Sequence, residues 1–383
     1  MKVWCYQMRI EHVEAVTYRI PPSVPWEDAT HVVTGIEFVI TTVKTNLGIT
    51  GVGFSYTTGI GGTSIEALIN DYLANMLVGK DPRNIEANWS FLYNQIHRCG
   101  TGGINTFALA SIDIALWDIV AKYHQQPLYK LLGGARESIP AYGSGIDYNY
   151  SYDSLFEMID EFIETGYETI KIKVGYDHIE EDIERIRRVK ERIGKRKLLV
   201  DINQKWNSHQ AIQAAAAYDH LLLGWIEEPI SADDIAGHAK LKRSIKTPLA
   251  IGESLYTKYQ FADYLKADAV DIVQADVGRV GGITEWIKIA HLADSFFRPV
   301  APHFLMELSV SLLCAVPNGM ILENVKGGSL TEMGVLEFPI TVKNGIAQPP
   351  QMPGHGVIFN EIKLEPYRIN SSILRTRNLE SFK

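Results

Sequence analysis

The sequence predicts an α/β protein whose larger part is a parallel (β/α) barrel of eight repeats, joined to a smaller α+β unit. Three observations predict it. From Ser138 onward short apolar runs alternate with amphipathic segments, and eight of those runs end in a polar residue: Ser144, Lys173, Asp201, Glu227, Glu253, Asp276, His303 and Glu323. The intervals between these ends are 29, 28, 26, 26, 23, 27 and 20 residues, each suited to one crossover helix and one returning strand. Three of the polar ends are acidic and lie 26 residues apart: Asp201 in LLVDINQ, Glu227 in GWIEEP and Glu253 in LAIGES. A carboxylate that closes a buried strand is costly without a partner, so three at one repeat length point to a shared one.

Taken in order, the chain first reads as strands, VEAVTYRI, IEFVITTVKT and ITGVGFSYTT, the last two forming a hairpin around Asn46-Leu47-Gly48. The Pro-rich stretch PPSVPWEDATH, with Trp26, lies between the first and second; it suits a lid or a plain surface connection. From Ser64 to about Tyr123 the pattern is helical, with Ile65, Leu68, Ile69 and Leu73 at helical spacing and ALASIDIALWDIVAKY beyond. Asp113 and Asp118 in that last helix read as caps or partners of a neighbouring helix, not ligands. The barrel strands are IPAYGS, ETIKIK, KLLVDI, GWIEE, PLAIGE, VDIVQAD, RPVAPH and GMILEN. Between the second and third, Ile179, Ile183, Ile186, Val189 and Ile193 share one helix face. After Glu323 the alternation stops, FPITVKNGIAQPP forms a hairpin around Asn344-Gly345, and the remainder to Lys383 returns to the first unit. The expected division is 1–126, 127–345 and 346–383.

Composition narrows the function classes. With 45 acidic against 37 basic side chains, a net charge of −8 and no basic block denser than KERIGKRK, the chain suits neither nucleic acid nor an anionic membrane. Cys5, Cys99 and Cys314 are scattered without a Cys-x-x-Cys, which argues for a reducing cytoplasm and against a thiolate metal site. Charge interrupts the N-terminal stretch too early for a signal peptide, and no apolar run is expected to approach membrane-spanning length. A soluble, cytoplasmic homo-oligomer is expected.

The strand ends carry the chemistry. Three carboxylates at one barrel mouth, with no Cys or His among them, are oxygen ligands for a hard cation, Mg²⁺ or alternatively Mn²⁺. Lys171 and Lys173, two apart on the second strand, point to one face; beside another cation and a metal, such a lysine has its pKa lowered toward neutrality and suits a general base. Asp276 and His303 end adjacent strands, so the aspartate can hold one ring nitrogen and leave the other for acid/base work. Glu323 reads as an ion-pair partner or as a neutral, protonated donor to a substrate oxyanion. The set supports removal of the proton beside a substrate carboxylate, with preorganised charge stabilising the enediolate.

These residues resemble the enolase superfamily and, within it, the mandelate racemase subgroup. The resemblance covers nearly the whole chain: ALASIDIALWDI…PLYKLLGG is similar to the junction of capping domain and barrel, Lys171-Ile172-Lys173 to the second-strand motif, and Asp201, Glu227 and Glu253 to the Mg²⁺ ligands. It continues through His303, Asp276 and Glu323. The resemblance implies a modified (β/α)8 TIM barrel of (β/α)7β type, with an N-terminal α+β capping domain completed by the C-terminal segment. It further implies Lys173 as one base, Lys171 as aid to the substrate carboxylate, His303 as second base or acid, and Asn203 as a contact either of the substrate or of the groups that hold the metal. Capping loops near Tyr18 to His31 would close over a small-molecule carboxylate.

Dehydration of an acid sugar to a 2-keto-3-deoxy acid is the favoured reaction, because the subgroup holds mainly such dehydratases and the mouth reads as polar. Ser144, Asn203, Gln204 and Lys205 are mouth candidates, with Arg19 or Arg98 from the capping domain. Lys205 is the candidate cation for a distal carboxylate, while Trp26 and its prolines keep an apolar pocket open. The run Arg279-Val280-Gly281-Gly282 reads as a tight loop opening a helix. The alternatives are a racemase or epimerase, a cycloisomerase and, from another class, a catalytically silent binding protein.

Overall fold

A computed structural model describes residues 7–369; Cys5 and the last fourteen residues of the expected C-terminal return lie outside the described residues. The N-terminal unit is an antiparallel sheet of β1 (Ile10–Ile20), β4 (Ile36–Thr45) and β5 (Thr50–Thr57), with the short pair β2 (Trp26–Glu27) and β3 (Val32–Val33) between the first two. The predicted hairpin is present, in register from Lys44↔Thr50 to Glu37↔Thr57. The helix Ile104–Tyr123 packs against β5, and the sequence permits this through two glycines. A Cβ on Gly51 would come within 2.2 Å of the Ala115 carbonyl oxygen, and one on Gly53 within 2.0 Å of the Ser111 oxygen. Thr41 and Ser111 hydroxyls meet at 2.7 Å across the same contact.

That helix corrects one expectation. At 20 residues it is long and apolar enough to cross a membrane by length and composition, yet 83% of the window is buried inside the protein. Its two aspartates face neighbouring segments. Asp113 accepts from Thr284 N (2.9 Å) and Oγ1 (2.6 Å), tying the helix to the barrel side, while Asp118 accepts from Val52 N and pairs with Lys122.

The second unit is a parallel sheet of β6 (Ile139–Ser144), β7 (Thr169–Lys173), β8 (Lys197–Asp201), β9 (Ile226–Glu227), β10 (Leu249–Ile251) and β11 (Ile272–Val273). The last strand, β12 (Leu322–Val325), pairs with β6, so the sheet closes on itself. The predicted seventh strand, RPVAPH, is reduced to single bridges of Val300 to Val273 and to Gly319. Pro299 and Pro302 flank Val300, and a proline offers no N–H to a ladder. Tyr142, Leu199, Trp225, Ala250, Ile272, Ala301 and Ile321 form a buried cluster with one residue from each strand position except the second, so the closed sheet is packed.

The Asn344-Gly345 turn joins β13 (Val342–Lys343) to β14 (Ile346–Ala347), with both turn residues at positive φ, 51° and 70°. β14 pairs antiparallel with β6, which places Ile346 and Ala347 on the barrel sheet. Beyond it the chain reaches the N-terminal sheet: His355 Nε2 meets Val52 O at 2.6 Å, Phe359 packs on Phe54, and Ile369 N donates to Thr17 O at 2.8 Å.

Candidate active site

Strand register assembles the charged layer. Lys173 pairs in register with Asp201, and Asp201 with Glu227, so three consecutive strands put ionisable side chains at one level. Glu253 lies two residues beyond β10, after Gly252; a Cβ there would lie 2.7 to 3.0 Å from the Gln274 backbone, so the chain must pass as glycine. One ligand oxygen from each of Asp201, Glu227 and Glu253 lies within 4.8 Å of the others. Non-glycine residues at positive φ cluster just past the strand ends, at Asn203, Gln204, Glu228, Phe304 and Leu305. Such conformations cost energy and persist where surrounding packing holds them.

Two of the three acids, Asp201 and Glu227, are cross-linked by the two lysines. Lys171 Nζ donates to Glu227 Oε1 and lies equally close to Glu323 Oε1, both at 2.7 Å, and is 3.8 Å from Asp201. Lys173 Nζ donates to Asp201 Oδ2 at 2.5 Å, and the Trp225 indole donates to Glu227 Oε2 at 3.0 Å. Burial disfavours charge on Asp201, but Lys173 and Lys171 outweigh it and hold the carboxyl below its usual range. Glu227 is pushed up to about 7 by burial; Lys171 opposes this, while Asp201 and Glu323 add to it. The lowering expected of the lysines requires a metal's charge beside them, and the side chains alone do not supply it. Burial acts in that direction, but the surrounding carboxylates override it and raise both ammonium groups. In this acid-rich layer the negative neighbours outnumber the cations, so a bound divalent cation is what would bring Lys173 toward the neutral form a base needs.

Facing this layer is the Asp276–His303 pair. His303 Nδ1 and Asp276 Oδ2 are 2.8 Å apart, Gly278 N donates to Asp276 Oδ1 at 2.7 Å, and His303 Nε2 lies 3.5 Å from Glu253 Oε2. Burial opposes a charged ring, yet the Glu253 charge and the Asp276 hydrogen bond prevail and raise the His303 pKa.

Glu323 differs from the neutral donor considered from sequence. Its oxygens accept from Ser144 Oγ (2.8 Å) and Phe304 N (2.8 Å) and pair with Lys171. Burial favours protonation, but Lys171 and His303 hold the carboxyl well below its usual range, as a carboxylate. Ser144 is therefore a buried support of Glu323 and does not line the cavity.

The cavity at the mouth measures about 70 Å³ and is walled by Lys171, Lys173, Asn203, Glu253, Arg279, His303 and Glu323 on the barrel side. Trp26, Asp28, Val33, Tyr56 and Thr58 enter from the N-terminal unit, and Ile146, Phe304 and Val325 add apolar surface. Trp26 is seated by a hydrogen bond from its indole to Lys326 O at 2.9 Å, and Gly328 makes room for it, since a Cβ there would lie 1.9 Å from the ring.

Several candidates fall elsewhere. Lys205 pairs with exposed Asp177 at 3.5 Å and does not line the cavity; past the two αL residues Asn203 and Gln204, strand alternation no longer sets its direction. Gln204 bonds Glu228 and Ser254, Arg19 pairs with Glu37, and neither Arg19 nor Arg98 reaches the wall. The cavity arginine is instead Arg279, whose guanidinium donates to Glu253 O at 3.0 Å. Its position three residues after Asp276 was the available signal. Tyr56 had none, since its polar partners lie more than 200 residues away.

The mandelate racemase / muconate lactonizing enzyme N-terminal domain model matches residues 12–133, and the enolase C-terminal domain-like model matches residues 155–363. The chain belongs to the enolase superfamily, in its mandelate racemase subgroup. As a member of that subgroup it is 34% identical over 353 residues to the 3,6-anhydro-alpha-L-galactonate cycloisomerase of Streptomyces coelicolor, covering 92% of this chain and 97% of the relative. It is 37% identical over 318 residues to the L-talarate/galactarate dehydratase of Salmonella typhimurium, covering 81% and 79%. Among solved structures, a racemase from Streptomyces coelicolor A3(2) with bound magnesium superposes with a TM-score of 0.91 at 33% identity, covering 94% of this chain and all of that one. Relatives in this mandelate racemase subgroup thus include dehydratases, cycloisomerases and racemases. The clustered, all-oxygen donor set of Asp201, Glu227 and Glu253 fits a magnesium ion.

Proposed function

We propose that the protein is a Mg²⁺-dependent acid-sugar dehydratase that abstracts the α-proton of a sugar carboxylate and expels its β-hydroxyl. The observation that carries this reading is that Lys173 and His303, from the second and seventh strand positions, line one cavity with Glu253 of the carboxylate cluster. Asp201, Glu227 and Glu253 would hold Mg²⁺, which would supply positive charge for the substrate carboxylate. Lys171, bound to Glu227 and Glu323, lies where a second positive charge favours the enediolate. Lys173 takes the α-proton, the C–H pair moves into the carboxylate system, and its return breaks the β C–O bond. His303, held by Asp276, gives its Nε2 proton to the departing hydroxyl, so water leaves and an enol remains to become the 2-keto-3-deoxy acid. Asn203 contacts the bound acid, and Trp26 closes the cavity over it.

Cycloisomerisation of a ring-bearing acid is a second reading, favoured by the apolar surface that Trp26, Val33, Ile146, Phe304 and Val325 give the cavity. There the same elimination opens a ring and the leaving oxygen stays attached. A panel of mono- and diacid sugars, lactones and anhydro acids incubated with Mg²⁺ tests both. A product lighter by one water marks the dehydratase and an isomer marks the cycloisomerase; absence of any α-hydrogen exchange with D₂O across the panel refutes the shared chemistry.

A further inference from the structure

The Asp276–His303 pair has a third member that comes from the other unit. Tyr56 stands near the end of β5, paired with Phe38 of β4, and is 1% exposed. Its hydroxyl donates to Asp276 Oδ2 at 2.5 Å and lies 3.2 Å from His303 Nδ1. The Asp276 oxygen that holds the histidine ring therefore also receives a phenol, while the other oxygen is fixed by Gly278 N. The phenol cannot easily turn away. Phe304 packs on its ring at 4.6 Å and Phe38 at 6.1 Å between centroids, and the Arg279 guanidinium lies 5.2 Å from the ring centre. Burial pushes the phenol pKa well above its usual value, with Asp276 adding to this against Arg279, so the group stays a donor.

A phenylalanine would supply the same packing without placing a polar atom in a buried spot. The only described partners of the hydroxyl are Asp276 and His303, so its hydroxyl serves that pair. We infer that Tyr56 is a positioning residue for His303: it fixes the Asp276 carboxylate so that the imidazole keeps Nδ1 on Asp276 and presents Nε2 to the cavity. This inference rests on the proposed roles of Lys173 and His303. It makes a seated N-terminal sheet part of the proton-donating apparatus, because the carboxylate is fully held only when β5 lies against the barrel mouth.

The test is Tyr56→Phe in the full chain loaded with Mg²⁺, with D-galactonate and galactarate as probes and the downfield Nδ1–H proton of His303, assigned against His303→Asn, as a second readout. With either probe turned over, the variant should keep α-hydrogen exchange, the work of Lys173, within about threefold, and lose on the order of tenfold to a hundredfold in kcat for product. KM should stay within about twofold, and the Nδ1–H resonance should shift or broaden. Unchanged kcat with an unchanged resonance would overturn the inference and leave the reaction intact. Equal loss of exchange and product, together with a lowered melting temperature, would reduce Tyr56 to a packing residue and overturn it as well. If the wild type exchanges no α-hydrogen in either probe or in the wider acid panel, the reaction reading fails, while the resonance still decides whether Tyr56 holds His303.

Discussion

The carboxylate cluster makes a thermal prediction that needs no substrate. Six buried or nearly buried carboxylates meet at the barrel mouth, Asp201, Glu227, Glu228, Glu253, Asp276 and Glu323, against three permanent cations, Lys171, Lys173 and Arg279. Carboxylates outnumber cations in a region of low dielectric, and burial with acidic neighbours pushes Glu228 well above its usual range and Glu227 up to about 7; a divalent cation relieves this crowding. An ion that binds only the folded state at about 100 times its Kd contributes roughly 2.7 kcal/mol. With an unfolding entropy of about 2.1 cal/mol/K per residue, the 383-residue chain loses roughly 0.8 kcal/mol of stability per kelvin near its midpoint. The expected shift is therefore about 3 °C. The assay is a melting scan of the full chain in EDTA and in saturating MgCl₂, with ionic strength matched by KCl, for wild type and Asp201→Asn. The wild type should gain about 3 °C and the variant less than about 1 °C. A wild-type midpoint identical in both buffers, or an equal rise in the variant, would refute the reasoning that these oxygens hold the ion.

The other predictions concern proton transfer, pH and the cavity wall. Lys173→Ala should abolish α-hydrogen exchange, whereas His303→Asn should retain exchange and lose product by on the order of 10² to 10⁴-fold; full turnover in both, followed by 2-keto acid formation, would contradict the base assignment. Asp113 is pushed up to about 7, chiefly by burial and against the Thr284 hydrogen bonds. Because this folded value exceeds the unfolded one, the group's contribution is fully present below about pH 4 and is lost as pH rises through about 7. Asp113→Asn should accordingly gain on the wild type between pH 4 and 8, by a few kcal/mol at most, in denaturant titrations; a pH-independent difference would contradict it. Gly328→Ala puts a Cβ 1.9 Å from the Trp26 ring and should push the indole off its Lys326 seat. KM should rise about tenfold, or ~1.4 kcal/mol, with a shifted tryptophan emission; unchanged KM and emission would show that Trp26 does not line the bound state.

The charged layer was legible because a barrel repeat fixes which residue ends each strand. Equal spacing locates Asp201, Glu227 and Glu253, and strand parity places Lys171 and Lys173 together. Parity failed where the backbone left the strand, since Lys205 lies past two αL residues and swings to Asp177; Ser144 ends β6 but gives its hydroxyl to Glu323. The seventh strand was overcalled because its apolar run hides two prolines that cannot join a ladder. The lysine shift depends on how many carboxylates and cations crowd each ammonium, and spacing alone does not count them. Tyr56 and Asp28 come from a sheet and loop whose approach to the barrel is set by tertiary packing, with no periodic trace in the chain.

Trp26 rests on the backbone of Lys326, while the three clustered acids Asp201, Glu227 and Glu253 come from residues 201 to 253. Selection over which acids are admitted can thus act on a short N-terminal stretch without disturbing the groups that hold charge. A duplicated gene could acquire a new diet through changes near residues 24–34, inheriting its reactive centre unaltered.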